Sequence, residues 1–230
     1  MSNFSEAKNF LRFIPWDTQT FGINTFEIVC ETDEVLREVI SKADSGHYTF
    51  RTSPLTSKSL LHELGFYYCD TLIEPYCSRE HLVYFAHSQI SISESFDIDE
   101  VAKIARESFV YDRFHRDFNI NSQLADFRYE NWIRSLYKVN QVISLKFANN
   151  TVGFWAYSEN KILLHALSKK YRGKGLSKAF WYLACLRLFD AGYNELTSSI
   201  SSSNLPALNL YASLGFKFRN ASDIYHLVIN

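Results

Sequence analysis

Residues 162–175 read ILLHALSKKYRGKG and run directly into residues 176–192, LSKAFWYLACLRLFDAG. The first six residues form an apolar run that is typical of a strand. Two glycines, Gly173 and Gly175, follow it, and Gly192 lies where a helix C-cap is expected. Between these glycines, apolar residues recur at helical spacing, namely Leu176, Phe180, Leu183 and Leu186. The sequence therefore predicts a strand, a glycine-containing turn and a helix.

The predicted turn has the chemistry of an anion-binding site. Backbone N–H groups at a helix N-terminus lack internal partners, and the helix dipole favours negative charge there. Arg172 and Lys174 add positive charge that suits a pyrophosphate. The loop is neither a P-loop nor a dinucleotide fingerprint, because the glycine spacing differs from both and Lys178 stands at the third glycine position. An ordinary strand-to-helix turn can carry the same glycines.

A second segment helps to decide between an anion-binding site and an ordinary strand-to-helix turn. Residues 204–216 read NLPALNLYASLGF. Together with the spacing from Leu167 to the Arg-Gly-x-Gly of residues 172–175, this segment resembles the GNAT superfamily of acyl-CoA-dependent N-acetyltransferases, over roughly residues 95–230. The resemblance implies an α/β fold of the GNAT acyl-CoA N-acyltransferase type, with a mixed central sheet flanked by helices. It also implies acetyl-CoA as cosubstrate. We expect no metal, because the cysteines lack the spacing and the histidine partners of a zinc site.

The family resemblance also assigns residues. It implies a pyrophosphate on the loop N–H groups, pantetheine paired with the strand, and an asparagine near the cofactor arm. The implied acetyl-CoA contacts are Ala166, Leu167, Arg172, Gly173, Lys174, Gly175, Leu176, Ser177, Asn204 and Ala207. Tyr211 matches the tyrosine that protonates the departing thiolate in many members. Lys169 departs from the proline that many members carry.

Two residues are candidates for the general base that deprotonates the amine. His165 lies two residues before Leu167, so both side chains point to one face of the strand. A histidine in this position can equally be a structural core residue. Asp70 is the second candidate, and its case depends on a further resemblance.

Short matches along the chain resemble the GNAT enzymes that acetylate nucleotide-linked amino sugars, of the dTDP-4-amino-4,6-dideoxygalactose (TDP-fucosamine) type. The matching motifs are Trp16-Asp17-x-x-x-Phe21-Gly22, Leu64-Gly65-Phe66, and Phe109-x-x-x-Arg113-Phe114 before Trp132-Ile133. The resemblance implies a carboxylate base acting through water at Asp70. It implies an acceptor amine on a dTDP-linked amino-deoxysugar, used for surface polysaccharide such as lipopolysaccharide.

The acceptor is expected to contact a basic and aromatic loop. Arginines there could hold a diphosphate, aromatic rings could stack on thymine, and an aspartate could orient a hydroxyl or amine. The predicted acceptor residues are Trp16, Phe21, Tyr111, Arg113, His115, Arg116 and Asp117. A solvated loop with incidental charges is the alternative.

The N-terminal third resembles a degenerate copy of the C-terminal unit. Residues 53–68 align with residues 203–218, with Leu61 in the place of Tyr211 and no Arg-Gly-x-Gly before it. We therefore predict a GNAT-like half-domain at residues 1–90 that extends the sheet or walls the acceptor site, and a catalytic domain at residues 91–230.

The remaining predictions concern local structure. A turn is predicted at residues 17–24 between two strands, a strand at residues 81–85, and a weakly structured boundary at residues 88–95. A helix at residues 122–137 is predicted to bury Phe127.

Composition bounds the class of protein. The chain is 47% apolar and 16% aromatic, with a net charge of −1, which gives no electrostatic footprint for nucleic acid. Four cysteines without CxxC spacing favour a reducing compartment. Residues 1–8 are polar, unlike a signal peptide. We expect a cytoplasmic enzyme with a small-molecule partner, no membrane and no nucleic acid. A homodimer, another small amine or a protein N-terminus as acceptor, and a non-catalytic acyl-CoA-binding protein stay open.

Overall fold

The computed structural model describes residues 9–230, so the prediction about residues 1–8 lies outside the described residues. The strands are β1 (Leu11–Phe13), β2 (Thr25–Ile28), β3 (Gly46–Thr52), β4 (Tyr67–Ser78), β5 (Ile90–Ser93), β6 (Val142–Phe147), β7 (Asn150–Ser158), β8 (Lys161–Leu167), β9 (Glu195–Ser198), β10 (Ile200–Ser201) and β11 (Lys217–Ile229).

Seven α-helices lie in the described part of the chain. They are α1 (Pro15–Phe21), α2 (Asp33–Ser41), α3 (Ser59–Glu63), α4 (Ile98–Arg106), α5 (Ser122–Lys138), α6 (Ser177–Asp190) and α7 (Leu205–Ser213). Short 3₁₀ turns occur at Arg79–His81 and Lys169–Tyr171. No helix within residues 9–230 has both the length and the apolar character needed to cross a bilayer.

The described chain divides into two compact units, each made of separate segments. The first unit comprises residues 9–72, 112–125 and 221–230, and the second comprises residues 73–111 and 126–220. The prediction of a half-domain at residues 1–90 and a catalytic domain at residues 91–230 stays a prediction.

In the first unit the strand order is β1-β2-β3-β11-β4. Strands β2 and β3 are parallel, while β1–β2 and β3–β11 are antiparallel. One face of this sheet packs against α2 and α3 through an apolar cluster that includes Leu36, Tyr48, Leu61 and Phe66. A smaller apolar cluster contains Phe21 of α1 with residues of the 112–125 segment.

In the second unit the strand order is β4-β9-β8-β7-β6-β5, with β10 beside β4. Strands β8 and β9 are parallel and the neighbours of β7 are antiparallel, so the sheet is mixed. Helices α4 and α5 form one apolar cluster with Phe154 and Leu164. Helices α6 and α7 form another with Trp155. The two clusters follow from strand alternation, which sends neighbouring side chains to opposite faces.

Several sequence predictions are confirmed and some are wrong. The predicted turn at 17–24 is instead the helix α1, with Pro15 at its first position and Gly22 as a left-handed C-cap at φ 72°. Proline fixes a helical φ and glycine accepts the positive φ, so both signals were present. The predicted strand at 81–85 is a 3₁₀ turn followed by irregular chain, and the predicted boundary at 88–95 contains β5. Phe127, predicted to be inward, is 38% exposed.

Helices α3 and α7, which lie in the two segments of the predicted repeat, end with the same type of backbone hydrogen bond. Phe66 N donates to Leu61 O at 2.8 Å, and Phe216 N donates to Tyr211 O at 3.1 Å. The intervening glycines have φ of 84° and 91°. This i to i−5 bond with a left-handed glycine is the Schellman pattern of helix termination. Leu61 and Tyr211 therefore hold the same place relative to their helix ends. Helices α5 and α6 end with the same type of bond, from Gln141 N to Leu136 O and from Tyr193 N to Leu188 O, so the repeat stays a prediction.

Candidate active site

The second unit contains a strand that separates from its neighbour. Strand β8 pairs with β7 from Lys161 to Leu167, but with β9 only at Lys161 and Ile162. The oxygen of Ala166 lies 2.3 Å from the position that a Cβ on Gly153 of β7 would take, so this carbonyl faces β7. Backbone groups alternate along a strand, so the carbonyl of Leu167 faces the gap left by β9.

The glycine loop lies at the end of this gap strand. Gly173 and Gly175 have φ of 73° and 76°, and a Cβ at either position would meet no atom within 4 Å. Leu176 occupies the N-cap of α6 and supplies no side-chain hydrogen bond to the first turn. Open space beside uncapped N–H groups is what a pyrophosphate requires. These residues therefore fit the diphosphate of acetyl-CoA.

The two cations of the loop differ in their surroundings. Arg172 Nε donates to Leu167 O at 2.8 Å, and Arg172 Nη2 donates to Ser108 Oγ at 2.7 Å. Its guanidinium therefore braces the loop against the strand. The ammonium of Lys174 lies 5.2 Å from the ring centroid of Tyr171. Both side chains are exposed, and the predicted contacts of Arg172 and Lys174 with a phosphate stay predictions.

Asn204 and Ala207, both predicted near the cofactor, form the start of α7. Asn204 Oδ1 accepts from Ala207 N at 3.2 Å, which is an N-cap hydrogen bond. Tyr211 follows seven residues after Asn204, and its side chain is fully buried. The asparagine therefore fixes the helix that positions the tyrosine.

Tyr211 and His165 are brought together. His165 Nε2 lies 2.9 Å from Tyr211 Oη. The Trp181 ring packs edge-on against the imidazole, with centroids 4.7 Å apart. Burial lowers the pKa of His165 to about 4, so the imidazole is neutral near pH 7. Burial also raises the pKa of the Tyr211 phenol.

Asp117 is the centre of a buried network in the first unit. Its Oδ2 lies 2.9 Å from His47 Nε2 and 2.7 Å from His226 Nδ1. Its Oδ1 accepts from Tyr67 Oη at 2.9 Å and from Asn119 N at 2.8 Å. Burial alone would raise the pKa of Asp117, but the hydrogen bonds from the histidines outweigh it and the pKa lies well below its usual range. The carboxylate is therefore ionised, and four protein donors surround it.

The same trio has the ligand types of a metal site. One atom each from His47, Asp117 and His226 lies within 4.8 Å of the others, and all three side chains are buried. Burial lowers the pKa of His226 to about 3, although its hydrogen bond to Asp117 acts in the opposite direction. Imidazole N–H groups that donate to one carboxylate account for these distances. The expectation of no metal stays a prediction.

Asp70, the predicted base, is fully buried in the first unit. Its Oδ1 accepts from Arg116 Nη1 at 3.1 Å and from its neighbour Thr71 N at 2.9 Å. The Arg113 guanidinium carbon lies 4.7 Å from the centroid of the Phe114 ring. His115 is held by Asp112. The predicted acceptor loop is thus charged, and its side chains are engaged with each other and with β4.

The three remaining residues that were predicted to contact the acetyl acceptor differ in burial. Phe21 is buried, and its ring centroid lies 5.0 Å from that of Phe114. Trp16 is exposed on α1, and Tyr111 of the second unit is 44% exposed. The roles predicted for Trp16, Phe21 and Tyr111 toward the acceptor stay predictions.

Comparisons with known proteins support the fold. The model of the acetyltransferase (GNAT) family matches residues 99–216. Among curated proteins, no relative matches this sequence. Many solved structures match this protein. A GCN5-related N-acetyltransferase from Sphaerobacter thermophilus matches with a TM-score of 0.58 and 12% identity, covering 85% of this chain and 65% of that one.

Two further structures have similar likeness. A GNAT-family protein from Novosphingobium aromaticivorans matches with a TM-score of 0.56 and 15% identity, over 90% of this chain and 84% of that one. A tandem GNAT protein from the clavulanic acid biosynthesis pathway matches with a TM-score of 0.51 and 8% identity, over 89% and 75%. At these identities the likeness concerns the fold alone, and the predicted α/β GNAT fold is confirmed.

The family model covers more than half of the chain and includes the glycine loop, the gap strand and Tyr211. The chain spans slightly less than two thirds of the Sphaerobacter protein. This protein belongs to the acetyltransferase (GNAT) family.

Proposed function

We propose that this acetyltransferase moves acetyl from acetyl-CoA, by direct attack, to the amine of a nucleotide-linked amino-deoxysugar. The proposed nucleotide is dTDP, and the enzyme of this kind that the sequence resembles is the dTDP-4-amino-4,6-dideoxygalactose N-acetyltransferase. The product would serve surface polysaccharide synthesis. No acyl-enzyme is required, since none of the four cysteines occurs at a motif position.

The part of the proposal that concerns acetyl-CoA, the acetyl donor, rests on the gap between β8 and β9 and on Tyr211 beside it. The last residue of β8 paired with β9 is Ile162, whose partner is Ser198. The Tyr211 hydroxyl interacts with Ser198 on β9 and with His165 on β8. It is therefore held where the two strands part. A pantetheine arm laid along the gap would pair with Leu167 more readily than with Ala166, whose carbonyl faces β7.

Different residues of this chain would protonate the leaving sulfur and hold the diphosphate. Acetyl-CoA supplies the activated thioester when bound. Tyr211 would give its phenol proton to the departing sulfur, because its hydroxyl is held beside His165 where β8 and β9 part. The loop N–H groups of residues 173–177 would hold the diphosphate through backbone contacts.

The acceptor half of the proposal rests on the first unit. Arg113 and Arg116 give the 112–117 segment the planar cations that recognise a diphosphate. Asp70 is buried beneath Arg116 and is the proposed base, acting through water. Asp117 already accepts from four protein donors, which favours a role in anchoring this segment over a direct role in binding the sugar.

Thiol release from acetyl-CoA tests this proposal. Purified protein is assayed with TDP- and UDP-linked amino-deoxysugars, and in parallel with polyamines, aminoglycosides and a peptide. Turnover confined to one nucleotide sugar is expected, and product analysis then locates the acetylated amine. Turnover only on another amine would keep the acetyltransferase and reject the sugar. Binding of acetyl-CoA without any turnover would favour a non-catalytic acyl-CoA-binding protein.

Replacing Tyr211 by Phe tests the acid. We expect kcat to fall by about 100- to 10,000-fold, the usual contribution of a general acid, with little change in acetyl-CoA affinity by calorimetry. Tyr84→Phe is the matched control, since Tyr84 is 70% exposed. An unchanged kcat in Tyr211→Phe would remove Tyr211 from the mechanism.

A further inference from the structure

His165 has a partner that limits what it can do. Its Nε2 lies 2.9 Å from Tyr211 Oη, so this nitrogen faces the phenol. Trp181 packs edge-on against the ring, a backbone hydrogen bond also reaches it, and Trp155 is the residue opposite on β7. A base for the acceptor amine would need a nitrogen lone pair directed to the substrate. The geometry instead directs the Nε2 of His165 at the proposed acid.

The tautomer of His165 decides which atom donates in this hydrogen bond, and the neighbouring donors favour one direction. Ser198 Oγ donates to Ile162 O at 3.0 Å, which uses the only proton that this hydroxyl has. Its oxygen lone pairs stay available to accept from Tyr211. If the phenol gives its proton toward Ser198 or toward sulfur, the phenol oxygen is free to accept from His165.

We propose that His165 is a positioning residue that donates its Nε2–H to Tyr211 Oη, leaving the phenol proton free for the sulfur and stabilising the phenolate that remains. This inference rests on the proposed function of Tyr211 as acid. A buried phenolate without donors would be costly, because the side chain of Tyr211 is fully enclosed. A neutral imidazole N–H is a donor that needs no charge of its own.

In the proposed acetyl transfer, one proton leaves the amine and another leaves Tyr211. The amine nitrogen bonds to the acetyl carbon and loses one proton to the base, and the carbon–sulfur bond breaks. The Tyr211 O–H bond breaks as the S–H bond forms, and the electron pair stays on the phenol oxygen, which accepts from His165. Solvent returns the proton that the base released to the phenolate once the thiol has left. The imidazole keeps its single proton throughout.

Nitrogen NMR of histidine-labelled protein tests the hydrogen bond without any acceptor. Spectra near pH 7 report which ring nitrogen carries the proton, and His165→Gln identifies the signal among the seven histidines. We expect a protonated Nε2 and an unprotonated Nδ1. An unprotonated Nε2 would overturn the proposal, whatever the acceptor is.

A double-mutant cycle tests the role, using whichever amine is turned over. His165→Leu is expected to lower kcat by about 10- to 100-fold, the range for a hydrogen bond to a charged group. The same change in the Tyr211→Phe background should cost almost nothing further. Fully multiplicative losses would show that His165 acts independently of Tyr211, as an amine base would, and would reject the proposal.

Controls separate this role from a structural one. His165→Gln keeps an amide donor and is expected to recover part of kcat, whereas the exposed His87→Gln should match the wild type. Loss of acetyl-CoA affinity or of melting temperature in parallel with kcat would assign His165 to packing alone. If no amine is turned over but Nε2 is protonated, the proposed function fails and the hydrogen bond stands.

Discussion

Replacing Asp117 by Ala should destabilise the protein strongly. The change removes the acceptor of two fully buried imidazole N–H groups, those of His47 and His226. Each buried donor left without an acceptor costs about 1–3 kcal/mol, so the pair costs about 2–6 kcal/mol. Tyr67 and Asn119 are less buried, so water can replace their acceptor. For a chain of this size, we expect a melting temperature lower by about 4–24 °C.

Thermal melting by circular dichroism and urea unfolding measure this loss. Asp117→Asn is expected to cost less than Asp117→Ala, because the amide oxygen can still accept from Tyr67 and Asn119. Asp190→Ala is the matched control. Asp190 forms an exposed ion pair with Arg79, which should contribute less than about 1 kcal/mol. If Asp117→Ala unfolds within about 1 kcal/mol of the wild type, the carboxylate does not hold this network and the reasoning is wrong.

Two further predictions concern pH and a glycine. The folded pKa values of His165 and His226, about 4 and about 3, lie below the unfolded value near 6.5, so the unfolded chain binds more protons in that window. The free energy of unfolding should therefore decrease as pH falls from about 6.5 toward 4, by about 1.4 kcal/mol per pH unit for each histidine, and His226→Gln should flatten that slope in urea titrations. An unchanged slope would show that His226 titrates normally. Gly215→Ala should cost about 3 kcal/mol by urea unfolding, because φ is 91° and the new Cβ would lie 2.0 Å from the carbonyl oxygen of His81. Gly22→Ala shares the positive φ but meets nothing within 4 Å, so it should cost only about 1 kcal/mol, and equal losses would contradict the steric argument.

The second unit could be predicted from sequence because its signals are local. Strand β8, the glycine loop and α6 lie consecutively within residues 161–190, and each has its own marker in periodicity or glycine placement. The C-terminal helix and its Leu-Gly-Phe end were equally readable, since a left-handed glycine ends a helix through hydrogen bonds to the preceding turn.

The first unit could not be predicted in the same way. His47, Asp117 and His226 lie 70 and 109 residues from their partners in the network, so no spacing in the sequence relates them. Strand alternation at residues 46–52 and 223–229 could have placed His47 and His226 on one face of the sheet. That inference requires the antiparallel register of β3 with β11, which the sequence does not show. The sequence therefore predicted that Asp117 contacts the acetyl acceptor. In the structure, its carboxylate oxygens accept hydrogen bonds from protein donors.

The order of strands in the first unit has a consequence for synthesis of the chain. Strand β3, residues 46–52, is complete long before residues 223–229 of β11, its antiparallel partner, have been made. At about 5–20 residues per second, the ribosome needs roughly 10 to 35 seconds to cover that interval. During that time one edge of β3 offers unpaired N–H and C=O groups to any other strand. A nascent chain stalled in this window is the form of the protein in which aggregation should begin.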